Sequence, residues 1–381
     1  MEMTRSFCVP RLDFRVYDGA RVDEFQSMSE LLDVRGLTVD LPTARGWVRP
    51  VNEVSMRIGA GESLGLVGES GSGKTMMALS LMGLLPPGAR VSGEAILSPA
   101  NSTPENLATL NEPRWQRLRG LDVAMIFQEP MTSLNPVMRV GNQIAEAIAA
   151  HFPDINKERI NYWVLEALRL AAVPEPSVRA GQFPHQLSGG LRQRVMIAMA
   201  IAAGISDSEE EPTPLEFRKP GTPLTKPRLL IADEPTTALD VTVQKQILEL
   251  LDGLRRRLGL GLLFITHDLG VVARVADRVA VMYAGRIVEQ GRVGDVLRAP
   301  RHPYTQGLIA ASPMLERGRL APIPGIVPQL TELPPGCSFE PRCPVRVPEC
   351  RLAVPELRDA GHNHVARCIL VGNANEVALK Q

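Results

Sequence analysis

The sequence predicts an α/β fold, with a core of parallel strands and helices followed by a small module rich in cysteine and proline. Residues 63–67, 123–127, 229–233 and 262–266 are nearly continuous in apolar residues, as buried parallel strands are. Residues 243–258 instead carry leucine and isoleucine at helical spacing. Strands separated by helices are typical of layered α/β cores. Towards the C-terminus the long periodic segments stop, and Pro, Gly and Cys become frequent.

Changes in composition predict the domain boundaries. Residues 1–30 show no clear hydrophobic period, and a phrase that reads like a natural start begins at Met28, so we interpret them as a disordered extension or a misassigned start. Residues 31–299 form the α/β domain. Residues 206–226 are polar and rich in proline, which predicts a flexible surface insertion. Residues 300–381 form the C-terminal module.

Composition excludes several classes of protein. The 381 residues contain 42 Lys and Arg and 42 Asp and Glu, so the net charge is about zero. This balance gives no reason to expect a nucleic-acid partner. No apolar run approaches the 18 residues of a membrane span, and no secretory signal is visible. We therefore expect a protein of the cytosol that reaches a membrane only through partners.

The segment from Gly68 to Thr75 fits the phosphate-binding pattern G-x-x-x-x-G-K-[ST] between a strand and a helix. Glycines let backbone N–H groups surround phosphates, and the helix N-terminus adds a favourable dipole. Lys74 would contact the β- and γ-phosphates of a nucleotide, and the Thr75 hydroxyl would bind Mg²⁺. Alone, this loop leaves kinases, GTPases and motor ATPases open. The residues assigned to the nucleotide are Gly68, Glu69, Ser70, Gly71, Ser72, Gly73, Lys74 and Thr75.

Polar residues follow three of the predicted strands. Asp233 and Glu234 end an apolar strand, where Asp233 would bind Mg²⁺ and Glu234 would polarise the attacking water. His267 ends another strand and could contact the γ-phosphate, although a lone histidine there is more often structural. Gln128 also ends a strand, and alone it carries no signal.

A second glycine-rich phrase, Leu187 to Arg194, opens a helical run more than a hundred residues after the first. Ser188, Gly189 and Gly190 at a helix start would form another anion-binding site. The chain would then carry half-sites for both sides of one nucleotide. Standing alone, the phrase would be only a loop with a serine cap.

Taken together and in this order, these motifs resemble those of the ABC-transporter ATPase family over residues 31 to about 300. The resemblance implies a P-loop ATPase domain with a helical subdomain over about 129–200. It implies that Gln128 is the Q-loop residue, acting in catalysis and at Mg²⁺, that Asp240 lies in the D-loop, and that His267 is the switch histidine. It also implies that two ATPase subunits meet head to tail, with ATP between the P-loop of one and the signature 187–191 of the other.

Longer phrases are similar to the ATPases of dipeptide and oligopeptide importers. They run from Phe127 to Pro136, from Ala232 to Thr242 and from His302 to Leu308. The resemblance implies the first of two paired ATPases, acting with two transmembrane permease subunits and an extracytoplasmic solute-binding protein. It places the subunit peripherally on the cytoplasmic face of the inner membrane. Nickel and some sugar importers share these phrases, so a non-peptide solute is the alternative.

Two further readings remain open at this stage. A non-transport ABC ATPase of DNA repair or translation would usually carry a coiled-coil insertion or tandem ATPase domains, which this sequence lacks. A regulatory module without turnover is disfavoured by the presence of both Glu234 and His267. The sequence also departs from the family at the residue that stacks on adenine, for which Trp47, Arg45 and Val48 are candidates.

Four of the five cysteines lie in the last 45 residues, at Cys337, Cys343, Cys350 and Cys368, while Cys8 lies in the extension. Their spacing fits neither the CxxC zinc pattern nor the bacterial ferredoxin run. Four thiolates could still hold an iron–sulfur cluster or Zn²⁺, with His362 or His364 replacing one ligand for zinc. The C-terminal module resembles modules that hold a [4Fe–4S] cluster, and thiols without metal are the remaining alternative.

Overall fold

The computed structural model describes residues 29–44, 46–98, 103–129, 133–205, 228–312 and 321–372. The expected extension, apart from its last two residues, and the expected insertion 206–226 lie outside these ranges. Arg45, one of the candidates for stacking on adenine, lies outside them as well. Within the described ranges, no helix combines the length and apolarity that a membrane crossing requires.

Twelve strands are present in the described residues. In chain order they are β1 (Glu30–Thr43), β2 (Gly46–Gly59), β3 (Ser63–Val67), β4 (Arg90–Leu97), β5 (Glu105–Asn106), β6 (Val123–Ile126), β7 (Leu229–Asp233), β8 (Gly261–Thr266), β9 (Arg278–Tyr283), β10 (Arg286–Arg292), β11 (Arg358–Asp359) and β12 (Val365–Ala366). The helices are α1 (Lys74–Ser80), α2 (Glu112–Leu118), α3 (Val140–Ala149), α4 (Lys157–Leu170), α5 (Pro176–Ala180), α6 (Gly189–Ile205), α7 (Val241–Leu258), α8 (Leu269–Val275), α9 (Val293–Arg298) and α10 (Pro303–Ala311).

The main sheet has the order β11-β12-β10-β9-β3-β8-β7-β6. Its strands β9, β3, β8, β7 and β6 run parallel. Every residue of β3, β6, β7 and β8 is buried, which is why these segments are apolar without alternation. The four strands predicted from the apolar runs are therefore present within one residue of their expected ends. Because the carboxyl ends of parallel strands share one edge, the loops after β3, β6, β7 and β8 meet there.

A second, antiparallel sheet has the order β2-β1-β4-β5 and covers α1. Its inner residues share one apolar cluster with α1 and with one face of the main sheet, including Leu32, Met77 and Leu263. A backbone hydrogen bond of 2.8 Å from Asn52 N to Gly285 O joins the two sheets at the turn after β9.

Helices α3, α4, α5 and α6 pack against one another in the region predicted as the helical subdomain. Trp163 of α4 is fully buried in their core, which is continuous with the other face of the main sheet. Helix α6 is apolar on nearly all sides, because it packs on α3, α4 and β6 at once.

The C-terminal region is joined to the main sheet. Strand β12 pairs with β10 through Glu289 and Ala366. Tyr304 of α10, together with Phe339, belongs to the same apolar cluster as the main sheet. Much of the rest is irregular and held by 3₁₀ turns at Glu340–Arg342 and Pro348–Arg351, as expected for a segment rich in proline. The boundary near residue 300 stays a prediction.

Candidate nucleotide site

The phosphate-binding loop lies at the carboxyl end of the central strand β3 and leads directly into α1. Gly73 caps α1 with φ of 105°, a conformation that L side chains rarely adopt. A β-carbon on Gly73 would lie 1.9 Å from Pro50 O and 2.8 Å from Met282 Cε. Gly68 is equally confined, since a β-carbon there would meet Met282 O at 2.1 Å. Packing therefore requires glycine at positions 68 and 73, and at Gly73 the backbone conformation requires it as well.

Lys74 is the buried cation of this loop, with 5% of its surface exposed. Its Nζ donates hydrogen bonds to Gly68 O at 2.7 Å and Glu69 O at 3.0 Å. Burial lowers the pKa of Lys74, while the charges of Glu234, Asp233 and Glu69 oppose this shift. An ammonium held by loop carbonyls can exchange them for phosphate oxygens, which pair with it more strongly.

Asp233 lies beside Thr75, whose side chain hydrogen-bonds the carboxylate. Only 1% of Asp233 is exposed, and its Oδ1 is a buried acceptor without a hydrogen-bond partner in the described part of the chain. Burial raises the pKa of Asp233. A buried carboxylate oxygen beside a threonine hydroxyl is a donor set of the kind that Mg²⁺ prefers. The residues present therefore fit the Mg²⁺ ion that an ATP site implies.

Glu234 brings together residues that lie far apart in the sequence. Its Oε2 accepts hydrogen bonds from Gln128 Nε2 at 3.1 Å and Thr237 Oγ1 at 2.9 Å. Its Oε1 lies 3.3 Å from His267 Nδ1. The backbone is fixed by a 2.9 Å bond from Glu234 N to Ile265 O. The three residues singled out as catalytic thus share one cluster, and Thr237 was not anticipated.

Electrostatics in this cluster favour a charged pair. The hydrogen bond from His267 lowers the pKa of Glu234, so the carboxylate is ionised at neutral pH. The same contact raises the pKa of His267. Glu234 also has φ of 44°, in the left-handed region that a non-glycine residue occupies only at a cost. Glu234 directly follows β7, so its carboxylate lies at the edge of the main sheet where the loops meet.

The second glycine-rich phrase lies against a different loop. Gly189 begins α6, and Ser188 Oγ accepts a hydrogen bond of 3.3 Å from Leu191 N. This is the serine cap that the alternative interpretation of the phrase predicts. A β-carbon on Gly190 would lie 2.7 Å from Val243 Cγ1 of α7. Asp240 caps α7, with Oδ1 accepting bonds from the backbone N of residues 242 and 243. Ser188, Gly189, Gly190 and Asp240 therefore meet at the adjoining starts of two helices.

Trp47 is 47% exposed on β2. The guanidinium of Arg90 lies 4.0 Å from the centre of its ring, over one face. Val48, the other described candidate, is on the same strand. The choice among Trp47, Val48 and Arg45 stays a prediction.

The four C-terminal cysteines are free and line one small cavity of about 10 Å³. Burial raises the pKa of Cys337 to about 11 and that of Cys343 to about 12, which keeps both thiols protonated. Among the residues that the structure describes, no three His, Cys, Asp or Glu side chains are arranged to hold a metal ion. The donor types fit a four-thiolate group, whereas their spacing and the water-sized cavity do not. The expected iron–sulfur or zinc site therefore has only the shared cavity in its favour.

Sequence reasoning also missed two contacts to the P-loop from the C-terminal region. Glu69 N donates a hydrogen bond of 2.8 Å to Tyr304 Oη. Arg342 Nη1 donates one of 2.7 Å to Glu69 Oε2. These partners lie 235 and 273 positions away in the sequence. No local pattern encodes such a pairing.

Comparison with protein-family models supports this description in two places. A model described as ABC transporter matches residues 51–205. A model described as the C-terminal region of oligopeptide/dipeptide transporters matches residues 288–350.

Several relatives align along most of the chain. A peptide import ATP-binding protein of Brucella ovis is 45% identical over 353 residues, covering 90% of this chain and 98% of that protein. The dipeptide transport ATP-binding protein DppD of Haemophilus influenzae is 44% identical, covering 88% and 94%. The oligopeptide transport ATP-binding protein OppD of Mycobacterium tuberculosis is 46% identical and covers 90% of this chain, which spans 52% of OppD.

Solved structures agree on the fold. A dimeric ATP-binding cassette in a post-hydrolysis state with ADP and Pi superposes with a TM-score of 0.55 and 25% identity, covering 69% of this chain and 99% of that one. CbiO1 of Clostridium perfringens superposes with a TM-score of 0.54 at 24% identity, covering 71% and 91%, and supports the fold alone.

The fold and the site define the chain as an ATP-binding cassette ATPase, which confirms the predicted fold class and activity. The chain belongs to the ABC transporter family, in the group of oligopeptide/dipeptide transport ATP-binding proteins.

Proposed function

We propose that this protein binds and hydrolyses ATP to power the import of dipeptides or oligopeptides through a membrane transporter. The observation that carries the ATPase part is the convergence of Gln128, Glu234 and His267 at the sheet edge that also bears Lys74 and Asp233. The peptide part is supported by relatives of 44–46% identity that are named for peptide, dipeptide or oligopeptide transport.

Each residue has a distinct task in this proposal. Lys74 pairs with the β- and γ-phosphates, and backbone N–H groups of the loop bind phosphate oxygens, except that of Glu69, which donates to Tyr304 Oη. Thr75, Asp233 and Gln128 would hold Mg²⁺, which when bound would offset the phosphate charge.

Glu234 accepts a proton from the attacking water, whose oxygen bonds to the γ-phosphorus while the bond to ADP breaks, leaving ADP and inorganic phosphate. The lowered pKa of Glu234 supports this role, because the carboxylate is free of a proton before the reaction. His267 orients the carboxylate and would contact the γ-phosphate.

We also propose that a second, homologous ATPase subunit completes the nucleotide-binding site. Ser188, Gly189 and Gly190 form a helix start next to the Asp240 loop. Backbone N–H groups there can bind the free side of a partner's γ-phosphate. A structural relative at 25% identity was solved as a dimer with ADP and Pi, which supports a paired arrangement. Gln128, at the start of the loop towards the helical subdomain, would report nucleotide state to two permease subunits.

This assembly would place the subunit peripherally at the cytoplasmic face of the inner membrane, with an extracytoplasmic binding protein delivering the solute. The test is to co-purify the full chain with its partner ATPase and permeases, reconstitute the complex in vesicles, and measure phosphate release. We expect stimulation by peptide-loaded binding protein and loss of it when Glu234→Gln is combined with the equivalent change in the partner ATPase.

The same experiment separates the alternatives. Stimulation by nickel or a sugar with no response to peptides would establish a non-peptide importer. ATP hydrolysis that needs neither permease nor solute would favour a non-transport ATPase.

For the cysteine cavity we propose an iron–sulfur cluster with a structural role, which requires the four thiols that share this small cavity to move apart. Anaerobic purification followed by iron, sulfide and zinc analysis tests it. Four irons and four sulfides per chain would support the cluster. One zinc ion per chain would instead indicate a zinc site. A fully folded protein without metal would end the proposal.

A further inference from the structure

One acidic side chain of the phosphate-binding loop is held by the C-terminal module. Glu69 accepts a two-pronged ion pair from Arg342, with distances of 2.7 Å and 3.1 Å. Its backbone N donates a hydrogen bond of 2.8 Å to Tyr304 Oη. Both the charge and the backbone of Glu69 are therefore fixed by residues of the C-terminal module.

The Arg342 side chain is buried and held by several contacts. Only 4% of its side chain is exposed. Its Nε donates a hydrogen bond of 2.9 Å to Pro324 O, and its guanidinium lies 5.9 Å from the ring centre of Phe339. The adjacent Tyr304 is fully buried, with its ring 4.6 Å from that of Tyr283. A planar guanidinium held on several sides can fix a carboxylate in one orientation.

The charge of Glu69 would oppose nucleotide binding if it were left free. Glu69 follows Gly68 within the loop, and its charge acts on Lys74. A carboxylate near the triphosphate repels it, and the repulsion is larger where water is partly excluded. Arg342 compensates that charge and turns the carboxylate towards the C-terminal module.

We propose that Arg342 is a positioning residue for ATP, which neutralises and orients Glu69 so that the phosphate-binding loop accepts the triphosphate. The C-terminal module thus takes part in the nucleotide site without touching the nucleotide. The proposal rests on the proposed ATP binding of this chain.

The test measures the Kd for MgATP of the full chain by equilibrium dialysis, for wild type, Arg342→Met, Glu69→Gln and the double variant. Arg342→Met leaves the Glu69 charge uncompensated, so we expect affinity about tenfold weaker, equivalent to about 1.4 kcal/mol. Glu69→Gln removes the repelling charge and should bind at least as tightly as wild type. In the double variant Glu69→Gln should restore affinity to within about threefold of wild type, because the repulsion is gone.

Arg346→Met is the matched control, since Arg346 lies in the same module, half-exposed and 3.9 Å from Glu340. It should leave the Kd unchanged. Thermal unfolding without nucleotide reports folding separately. If Arg342→Met does not fold, Arg342→Lys and Tyr304→Phe replace it. Arg342→Lys keeps the charge but loses the two-pronged geometry, so its affinity should fall between that of wild type and the about tenfold loss expected without the charge. Tyr304→Phe removes the acceptor of Glu69 N and should weaken binding.

A purely structural role gives a different pattern. Equal Kd values for Arg342→Met and Arg346→Met, or a loss that Glu69→Gln does not restore, would overturn the proposal. If the replacement variants are used, a Kd for Tyr304→Phe equal to that of wild type would overturn the proposal. In the assembled complex we expect Arg342→Met to raise KM more than it lowers kcat. Wild-type protein that binds no MgATP would instead remove the proposed function itself, so the two failures are distinguishable.

Discussion

Gln128 Nε2 donates a hydrogen bond of 3.1 Å to Glu234 Oε2, across 106 positions of sequence. Gln128 follows β6 and Glu234 follows β7, and these strands are parallel neighbours in the main sheet. The bond therefore links the loop that leads to the helical subdomain with the carboxylate proposed to activate water. A movement of that subdomain would change the hydrogen bonding of Glu234.

Replacement of Glu234 by glutamine should separate binding from turnover. The amide keeps the size of the side chain but cannot accept a proton, so we expect hydrolysis to fall about 10²–10⁴-fold while MgATP still binds. Phosphate release by the assembled transporter measures this, with the partner ATPase changed in the same way. Glu249→Gln, on the exposed side of α7, is the control and should have no effect. Wild-type turnover in Glu234→Gln would contradict the assigned role.

The pair of His267 and Glu234 predicts a defined pH dependence. The raised pKa of His267 means that its contribution to stability is complete below about pH 6.5 and is lost as pH rises through the folded pKa. The lowered pKa of Glu234 means that its contribution is present above about pH 4.5 and is lost as pH falls through the folded pKa. Since His267 is largely exposed, the pair should contribute less than about 1 kcal/mol.

NMR titration of the His267 imidazole measures this contact directly. We expect its pKa to lie above 6.5 in wild type and to fall in Glu234→Gln, because the hydrogen bond to a charged carboxylate is lost. The resonance is assigned by its absence in His267→Asn. An identical pKa in wild type and Glu234→Gln would show that the two side chains do not pair in solution.

Two glycines of the phosphate-binding loop should respond differently to alanine. In Gly73→Ala the new methyl group would collide with Pro50 O, so we expect a loss of at least about 3 kcal/mol in the free energy of unfolding. Gly71 has φ of 79° but open space around its β-position, so Gly71→Ala should cost only about 1 kcal/mol. Thermal and denaturant unfolding compare the variants. Equal losses would mean that backbone strain, and not packing, decides both positions.

Asp240 should show a capping role that is separate from any role at the nucleotide. Its carboxylate accepts two backbone hydrogen bonds at the start of α7, so Asp240→Ala should lower the free energy of unfolding by about 1 kcal/mol. Asp240→Asn keeps an accepting oxygen and should be nearly neutral. If Asp240→Asn is stable but slows ATP hydrolysis in the assembled complex, the negative charge of Asp240 contributes to hydrolysis at the nucleotide site. Equal stability of the alanine and asparagine variants would contradict the capping role.

Glu289 should be one of the most sensitive positions in the C-terminal half. It is fully buried and accepts hydrogen bonds from Arg301 N at 2.6 Å and His302 N at 2.8 Å, while its Oε1 lies 2.7 Å from His364 Nε2. Glu289→Ala leaves these buried groups unpaired, so we expect a loss of about 3 kcal/mol or more. Denaturant unfolding measures it against the exposed control Glu349→Ala. A loss below about 1 kcal/mol would show that the region adapts.

The sequence alone determined the α/β class and the positions of the four central strands, and it singled out Gln128, Glu234 and His267, which the structure brings together. It could do so because each of these signals is local. A buried parallel strand is a short apolar run, and a phosphate-binding loop needs its glycines and lysine at fixed spacing. The residues after β6, β7 and β8 could also be placed on one edge, since parallel strands end together.

Only the tertiary structure decided which distant residues meet. The attachment of Arg342 and Tyr304 to Glu69 and the pairing of β12 with β10 depend on how an irregular, proline-rich segment folds back on the sheet. Such contacts have no period and no fixed spacing. Their energy comes from burial and from charge compensation between groups that the chain brings together only when it is folded.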